Sequence, residues 1–501
     1  MSSINAALGE IITDSASTTN FTGVPLWKRV RSGVAWSASS SIVGQVIGLI
    51  RSIVIARLLI PEDFGLLGMA LTVIAGLTSL TTIGLDHSIV SNKFADQSAL
   101  KSHLNTVWSA ELVRSLIVAL LVILSAYPLA IFYGQPRLRL IIPVLSLNIL
   151  IQGFQNIGLV ILRKEIGFAR IFWYELASHV SGIVVTIGLV LALRNVWSLV
   201  VGLVTSTALS VMLSYAFHSY RPRLSYDKVA FQRAMTFGKF ALVIAVASYI
   251  TTMADNIMVG RLLGTNALGN YALAYNLASV PIGMLVFALG RVLFPAYAEI
   301  AANRPQDLER VFIKVFTISS LILITVTVPI FLLAREIVQL LFGPTWATAG
   351  SALKVLSLII PLRGLTLIIS MVFFGLNRPK QVAAGKILEA IVFLVFLYPL
   401  ILAFGVTGAA WAGIIAYAFA CINRVRALRE YMAGIPSKLI GISLLSVAAA
   451  GAAVLIASIT FRFVDSALPR LIAGGLISMV TPALFLLLIR ADLKKWIVTA
   501  S

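Results

Sequence analysis

The feature that most constrains this chain is an internal repeat. Ile53-Val-Ile-Ala-Arg57-Leu-Leu-Ile-Pro-Glu-Asp-Phe-Gly65 reappears without a gap as Ile257-Met-Val-Gly-Arg261-Leu-Leu-Gly-Thr-Asn-Ala-Leu-Gly269, so equivalent positions lie 204 residues apart. Each copy ends a long apolar run at Arg-Leu-Leu, crosses a short polar turn and begins another run at Gly. Recurrence over such a distance means that one architecture is built twice.

What is repeated is a membrane bundle. The 501 residues are 59% hydrophobic and 12% charged, with a mean hydropathy of +0.99, more apolar surface than a soluble core of this length needs. The net charge of +20 does not indicate nucleic acid, because the basic residues are scattered between apolar runs rather than gathered on a polar domain. A single cysteine, Cys421, excludes an intramolecular disulfide, and four scattered histidines offer no metal cluster. Residues 1–30 lack the short apolar core of a cleavable signal peptide and read as a cytoplasmic tail.

Crossing the hydrocarbon takes about 20 mostly apolar residues. About fourteen such runs are expected, at 34–59, 65–85, 106–132, 139–162, 174–193, 197–217, 238–263, 270–293, 312–333, 352–375, 387–404, 409–428, 439–461 and 470–489. The expected fold is an all-α polytopic membrane protein. Most lysines and arginines fall in the turns that share a side with the N-terminus, which places both termini in the cytoplasm of a bacterial inner-membrane protein. The repeat falls at the ends of the first and seventh runs, so each copy holds six crossings and enters the membrane the same way round. Such parallel repeats are related by an axis along the membrane normal. The expected divisions are a tail (1–30), a first lobe (31–235), a second lobe (236–432) and a segment with two extra helices and a C-terminal tail (433–501).

Steps of four and three along the first run give Ser37, Ser41, Gly44, Gly48 and Arg51; the equivalent positions in the seventh are Ala241, Ala245, Ser248, Thr252 and Asp255. Each set holds one helix face. Small residues there permit close helix packing; the alternative is that the two faces line a cavity, and the opposite charges at their ends favour it. Arg51 stands ten residues before Pro61, about 15 Å along a helix. A charge inside the bilayer costs about 2.5–3.5 kcal/mol on insertion scales and therefore faces a cavity or a partner. An Arg51–Asp255 pair across the pseudo-axis, latching the outer side, is the expectation.

Arg363, two residues after Pro361, is the deepest cation and a candidate ligand contact. Arg114 has Glu111 one turn before it, so a self-satisfied pair competes with a ligand site. Glu175 and His179, four residues apart, either relay a proton or form a structural pair. Arg291 either meets an entering phosphate or anchors the inner surface. Glu389 with Lys386 reads as a surface pair. Substrate candidates are thus Arg51, Arg363, Arg291 and Arg114, and gate or ion-coupling candidates are Asp255, Glu175 and His179. No Gly-rich nucleotide loop with Lys-Ser/Thr is present, and no loop is long enough for a catalytic domain, so an enzyme is not expected and no cofactor or metal is implied.

Four further stretches carry a resemblance: Arg57-Leu-Leu-Ile-Pro-Glu-Asp-Phe-Gly65, Asn156-Ile-Gly-Leu-Val-Ile-Leu-Arg-Lys-Glu165, Phe294-Pro295 and Leu341-Phe-Gly-Pro-Thr-Trp346. Through them the chain resembles the polysaccharide transporter branch of the multidrug/oligosaccharidyl-lipid/polysaccharide exporter superfamily, the Wzx-like flippases. It is similar in particular to exporters of acidic exopolysaccharides such as succinoglycan. The resemblance implies an undecaprenyl-diphosphate oligosaccharide as substrate, an ion gradient (H+ or Na+) as driving force, and polysaccharide polymerase or export machinery as partners. The alternatives are a multidrug/ion antiporter, a peptidoglycan-precursor flippase and, with less support, a membrane glycosyltransferase.

Overall fold

A computed structural model of the chain describes residues 26–81, 97–164, 168–432 and 435–461, with a few positions beyond (469–470, 473–477 and 482). Among them every regular element is helical. In chain order these are α1 (Leu26–Leu58), α2 (Pro61–Thr81), α3 (Gln97–Tyr133), α4 (Leu138–Gly153), α5 (Gly158–Lys164), α6 (Phe168–Leu193), α7 (Val196–Phe217) and α8 (Lys228–Asn303). Then follow α9 (Leu308–Leu332), α10 (Ala334–Phe342), α11 (Ala347–Ser357), α12 (Ile359–Gly375), α13 (Pro379–Phe404), α14 (Val406–Leu428) and α15 (Ile435–Thr460).

Within the described residues helix covers the first thirteen apolar runs, with local breaks; the end of the second (82–85) and most of the fourteenth lie outside those residues. By length and composition eight described helices can cross a membrane, or up to nine if the bent pair Pro344–Ser357 and Ile359–Gly375 is one span. The runs are therefore not all single straight spans. The fourth is divided between α4, which has 16 residues, and α5. The tenth bends by 40° at the junction of α11 and α12. The seventh and eighth join as α8, interrupted at Gly264 with φ 84°.

Burial shows how the two halves meet. At the end where α1 turns into α2, one continuous core draws on both: Leu66, Met69, Val122 and Ile141 from the first half, Val259, Leu268, Tyr271 and Trp346 from the second. Toward the other end the cores are separate. Leu104, Val107 and Ile157 form one in the first half, while Tyr297, Phe312, Phe373 and Leu428 form another in the second. Among the described residues the shared core of the halves is thus at one end, with Tyr249 Oη donating to the Thr72 carbonyl at 3.1 Å farther along.

That fusion centres on the repeat itself. A Cβ on Gly65 would stand 1.9 Å from the Thr265 carbonyl oxygen, and a Cβ on Gly269 would stand 1.9 Å from the Pro61 carbonyl oxygen. Gly65 and Gly269 are equivalent positions, as are Pro61 and Thr265. Two such reciprocal contacts are what a two-fold axis generates, and only a residue without Cβ lets the backbones approach so closely.

The segment between the halves is tied to the first. Asn156 Nδ2 donates to the carbonyls of His218 (3.2 Å) and Tyr220 (2.9 Å), and Thr106 accepts from the Asp227 N–H at 3.1 Å. These bonds satisfy extended backbone that has no helical partner.

Candidate functional site

Two polar regions lie within the bundle, one in each half. In the first half, α1, α6 and α7, with Gln152 and Gln155 from α4 and the turn after it, enclose a cavity of about 230 Å³. Arg51, Gly48, Ser178, His179, Ser206, Thr207 and Ser210 also line it. A Cβ on Gly48 would meet nothing within 4 Å, whereas one on Gly44 would meet His179 Nε2 at 3.3 Å. The stripe on α1 therefore divides: Gly44 serves close packing and Gly48 opens onto the cavity. The side chains of Ser37, Ser41, Ala241 and Arg291 lie outside those described.

The walls of this cavity combine neutral hydrogen-bonding groups with the aliphatic side chains of Ile47, Ile183 and Val211. Gln155 Nε2 donates to Tyr174 Oη at 2.8 Å, and Tyr174 Oη and Ser210 Oγ share a hydrogen bond of 2.9 Å. Ser206 bonds back to the Gly202 carbonyl at 2.6 Å. Ser178 Oγ is buried with no partner among the described residues. Arg51 is the cation of the cavity, and among the described residues its guanidinium has no hydrogen bond or ion pair. A solvated arginine among hydroxyls and amides is suited to a ligand that carries both negative charge and hydroxyl groups.

In the second half most polar groups answer one another, although Arg424 Nε and Nη1 are buried with no hydrogen-bond partner among the described residues. Asp255 is 2% exposed. Its carboxylate accepts from Tyr271 Oη at 2.6 Å and from the Asn256 N–H at 2.9 Å. Arg363 donates to Tyr275 Oη at 3.1 Å. Glu389, also 2% exposed, accepts from Lys386 Nζ at 2.6 Å, and Arg424 Nη2 lies 3.8 Å from its other oxygen. Between Asp255, Tyr275, Glu389 and Tyr417 there is space of about 10 Å³, on the order of one water molecule. Two carboxylates thus face three cations in a nearly filled interior.

Two expectations need correction. Arg51 and Asp255 do not pair: Asp255 is held by Tyr271 in its own half, and Arg51 lines the cavity of the other. Equivalence in a repeat fixes position along a helix but not the neighbours, and α8 brings its own tyrosine back to Asp255. Glu389 and Lys386 are no surface pair either. Their spacing is right, but the Arg424 side chain, 3% exposed, covers the glutamate from α14, a contact between helices that no single run announces.

The remaining candidates separate. Arg114 donates to both carboxylate oxygens of Glu111 and, at 3.1 Å, to Thr81 Oγ1; it lines neither cavity. His179 lines the first cavity, while Glu175, half-buried one turn away, does not. Tyr271, Tyr275, Tyr417 and Arg424 were not among the candidates. The i,i+4 spacing of Tyr271 and Tyr275 was their one visible signal. The same holds for Ser206, Thr207 and Ser210, a polar face within an apolar run.

A family model described as "Polysaccharide biosynthesis protein" matches residues 54–351, which takes in both copies of the repeat but for Ile53. The chain belongs to this family. Among curated relatives, the succinoglycan biosynthesis transport protein ExoT of Rhizobium meliloti is 26% identical over 334 residues, 66% of each chain. The lipopolysaccharide biosynthesis protein WzxC of Escherichia coli is 26% identical over 340 residues, 67% of each chain. Among solved structures, the lipid II flippase MurJ in an inward closed conformation superposes with a TM-score of 0.72 at 15% identity, covering 91% of this chain and 99% of that one. The fold is therefore that of this class of multi-pass helical transporters.

Proposed function

We propose that this chain is a flippase that carries a lipid-linked oligosaccharide across the bacterial inner membrane for polysaccharide synthesis, by alternating access between two lobes. The physical task is to pass a hydrated, charged head group through hydrocarbon while its lipid tail stays in the bilayer. Unsatisfied polar groups are expensive there, so the path must be polar and screened from lipid. The observation that carries the reading is the shared core at one end combined with an unpaired arginine in a cavity that hydroxyls and amides line alongside aliphatic side chains. Membership of the polysaccharide biosynthesis family supports it.

The lobes correspond to residues 31–235 and 236–432. With the basic turns in the cytoplasm, both termini are cytoplasmic and the fused end faces outward, so the described conformation admits substrate from the cytoplasmic leaflet. The cavity of the first lobe holds an acidic sugar or the diphosphate of the head group, and Arg51 is the residue that meets its charge. A volume of about 230 Å³, below the roughly 300–1,000 Å³ of pockets for drug-sized ligands, suits one ring or one diphosphate rather than a whole oligosaccharide. Asp255, Arg363 and Glu389 belong to the lobe that couples movement to an ion gradient. Undecaprenyl diphosphate is the carrier that this reading favours.

Reconstituted vesicles containing a fluorescent lipid-linked oligosaccharide test this directly. The purified chain is expected to expose inner-leaflet label to an impermeant quencher, and Arg51→Ala to slow that exchange at least tenfold. Flipping of a neutral short-chain phospholipid at an equal rate would overturn the reading.

A further inference from the structure

The two sequence motifs that carried the resemblance at the fused end, around Arg57 and around Trp346, meet each other, and the transport reading does not use that meeting. The last carbonyls of a helix have no partner within it and must be satisfied from outside. Helix α10 ends at Phe342, and the chain turns through Gly343 (φ 94°) into Pro344. Proline has no N–H, so the Leu340 carbonyl, four residues earlier, has no intrahelical donor. Arg57 supplies it: one guanidinium N–H reaches the Leu340 oxygen, and Nε–H reaches the Leu341 oxygen at 2.8 Å.

The reverse contact stands beside it. Trp346 is wholly buried, and its indole N–H donates to the Ala56 carbonyl at 2.8 Å, near the end of α1. The Phe64 ring meets Trp346 edge-on, with centroids 5.0 Å apart. Each half therefore completes the helix end of the other. The cation also lies at the negative end of α10, where it is favoured.

We propose that this reciprocal capping, Arg57 on α10 and Trp346 on α1, is the clasp that holds the fused end shut, in place of an ion pair. Separation of the halves there strips three carbonyls and a buried indole N–H of their partners at once, whereas the Gly65–Gly269 crossing only permits the approach. The clasp is one-sided. Arg261, the repeat counterpart of Arg57, caps no carbonyl among the described residues and lies over the Phe132 ring at 5.4 Å. The inference presupposes alternating access but not the substrate.

The test is a distance measurement on the full chain in detergent without substrate. Spin labels are placed at Ala192→Cys on α6 and Ala403→Cys on α13, both exposed near the fused end, in a Cys421→Ala background. Arg57→Gln and Trp346→Phe, the latter keeping the ring against Phe64, are each expected to raise the population with the longer distance about tenfold. Arg57→Lys, which can still cap one carbonyl, is expected to fall between, and Arg261→Gln to change it less than twofold. Unchanged distributions in Arg57→Gln and Trp346→Phe, with monodisperse protein of normal helicity, would overturn the proposal. So would an equal opening in Arg261→Gln. Absence of flipping by the unsubstituted chain, with these distances as expected, would instead count against the transport reading.

Discussion

Arg51 and Asp255 occupy the same place in the two copies of the repeat, yet their surroundings differ. Arg51 is exposed to a cavity whose walls are neutral, and its charge has no partner among the described residues. Asp255 is sealed against Tyr271, beside a packed set of ions and tyrosines. The contact made by Gly65 and Gly269 is the opposite case, for there the copies behave alike. The repeat thus preserves the crossing that joins the halves and gives each half different chemistry. One half is left able to receive a charged guest, while the other packs two carboxylates against three cations and leaves one positive charge in excess.

The largest expected effect tests the shared element. Gly65→Val or Gly269→Val places carbon atoms on a backbone carbonyl, and the fused end must open or misfold; overpacking costs typically 1–3 kcal/mol and more where backbone is struck. Loss of monodisperse protein, or a fall in the unfolding midpoint of both variants alike, checks it. Unequal responses would break the symmetry between copies.

Next comes the half with the packed charges. Glu389→Ala leaves Lys386 and Arg424 uncompensated in the interior, at about 3–5 kcal/mol by the cost of breaking a buried pair. Glu389→Gln is expected to be milder, because its one amide oxygen still accepts from Lys386, although its NH2 cannot answer Arg424. Thermal unfolding in detergent measures the order, and an unaffected Glu389→Ala would show that Glu389 does not hold these cations.

The open half should respond in the other way. Arg51→Ala is expected to leave thermal stability within about 0.5 kcal/mol, as for a surface change, while transport falls at least tenfold. A destabilised Arg51→Ala would mean that its charge is structural, and the contrast with Asp255 would fail. The smallest effect belongs to Arg114→Ala: its pair with Glu111 is partly exposed, and such pairs contribute about 0–1 kcal/mol, so transport and stability should both change little.

Much of this was legible in the residues. The repeat at Arg57 and Arg261 announced two copies of one bundle, and the apolar runs announced helices, because a membrane leaves backbone few ways to satisfy itself. The sequence also pointed to Asp255, Arg363 and His179, since an ionised group in an apolar run is expensive enough to stand out. It could not show that Glu389 is covered by Arg424, nor that Tyr271 rather than Arg51 answers Asp255. Periodicity along one helix determines which face a side chain occupies, whereas its partner arrives from another helix. That step belonged to tertiary packing, which joined Arg57 to Leu340 and Leu341 across the two halves and so placed both family motifs in one contact.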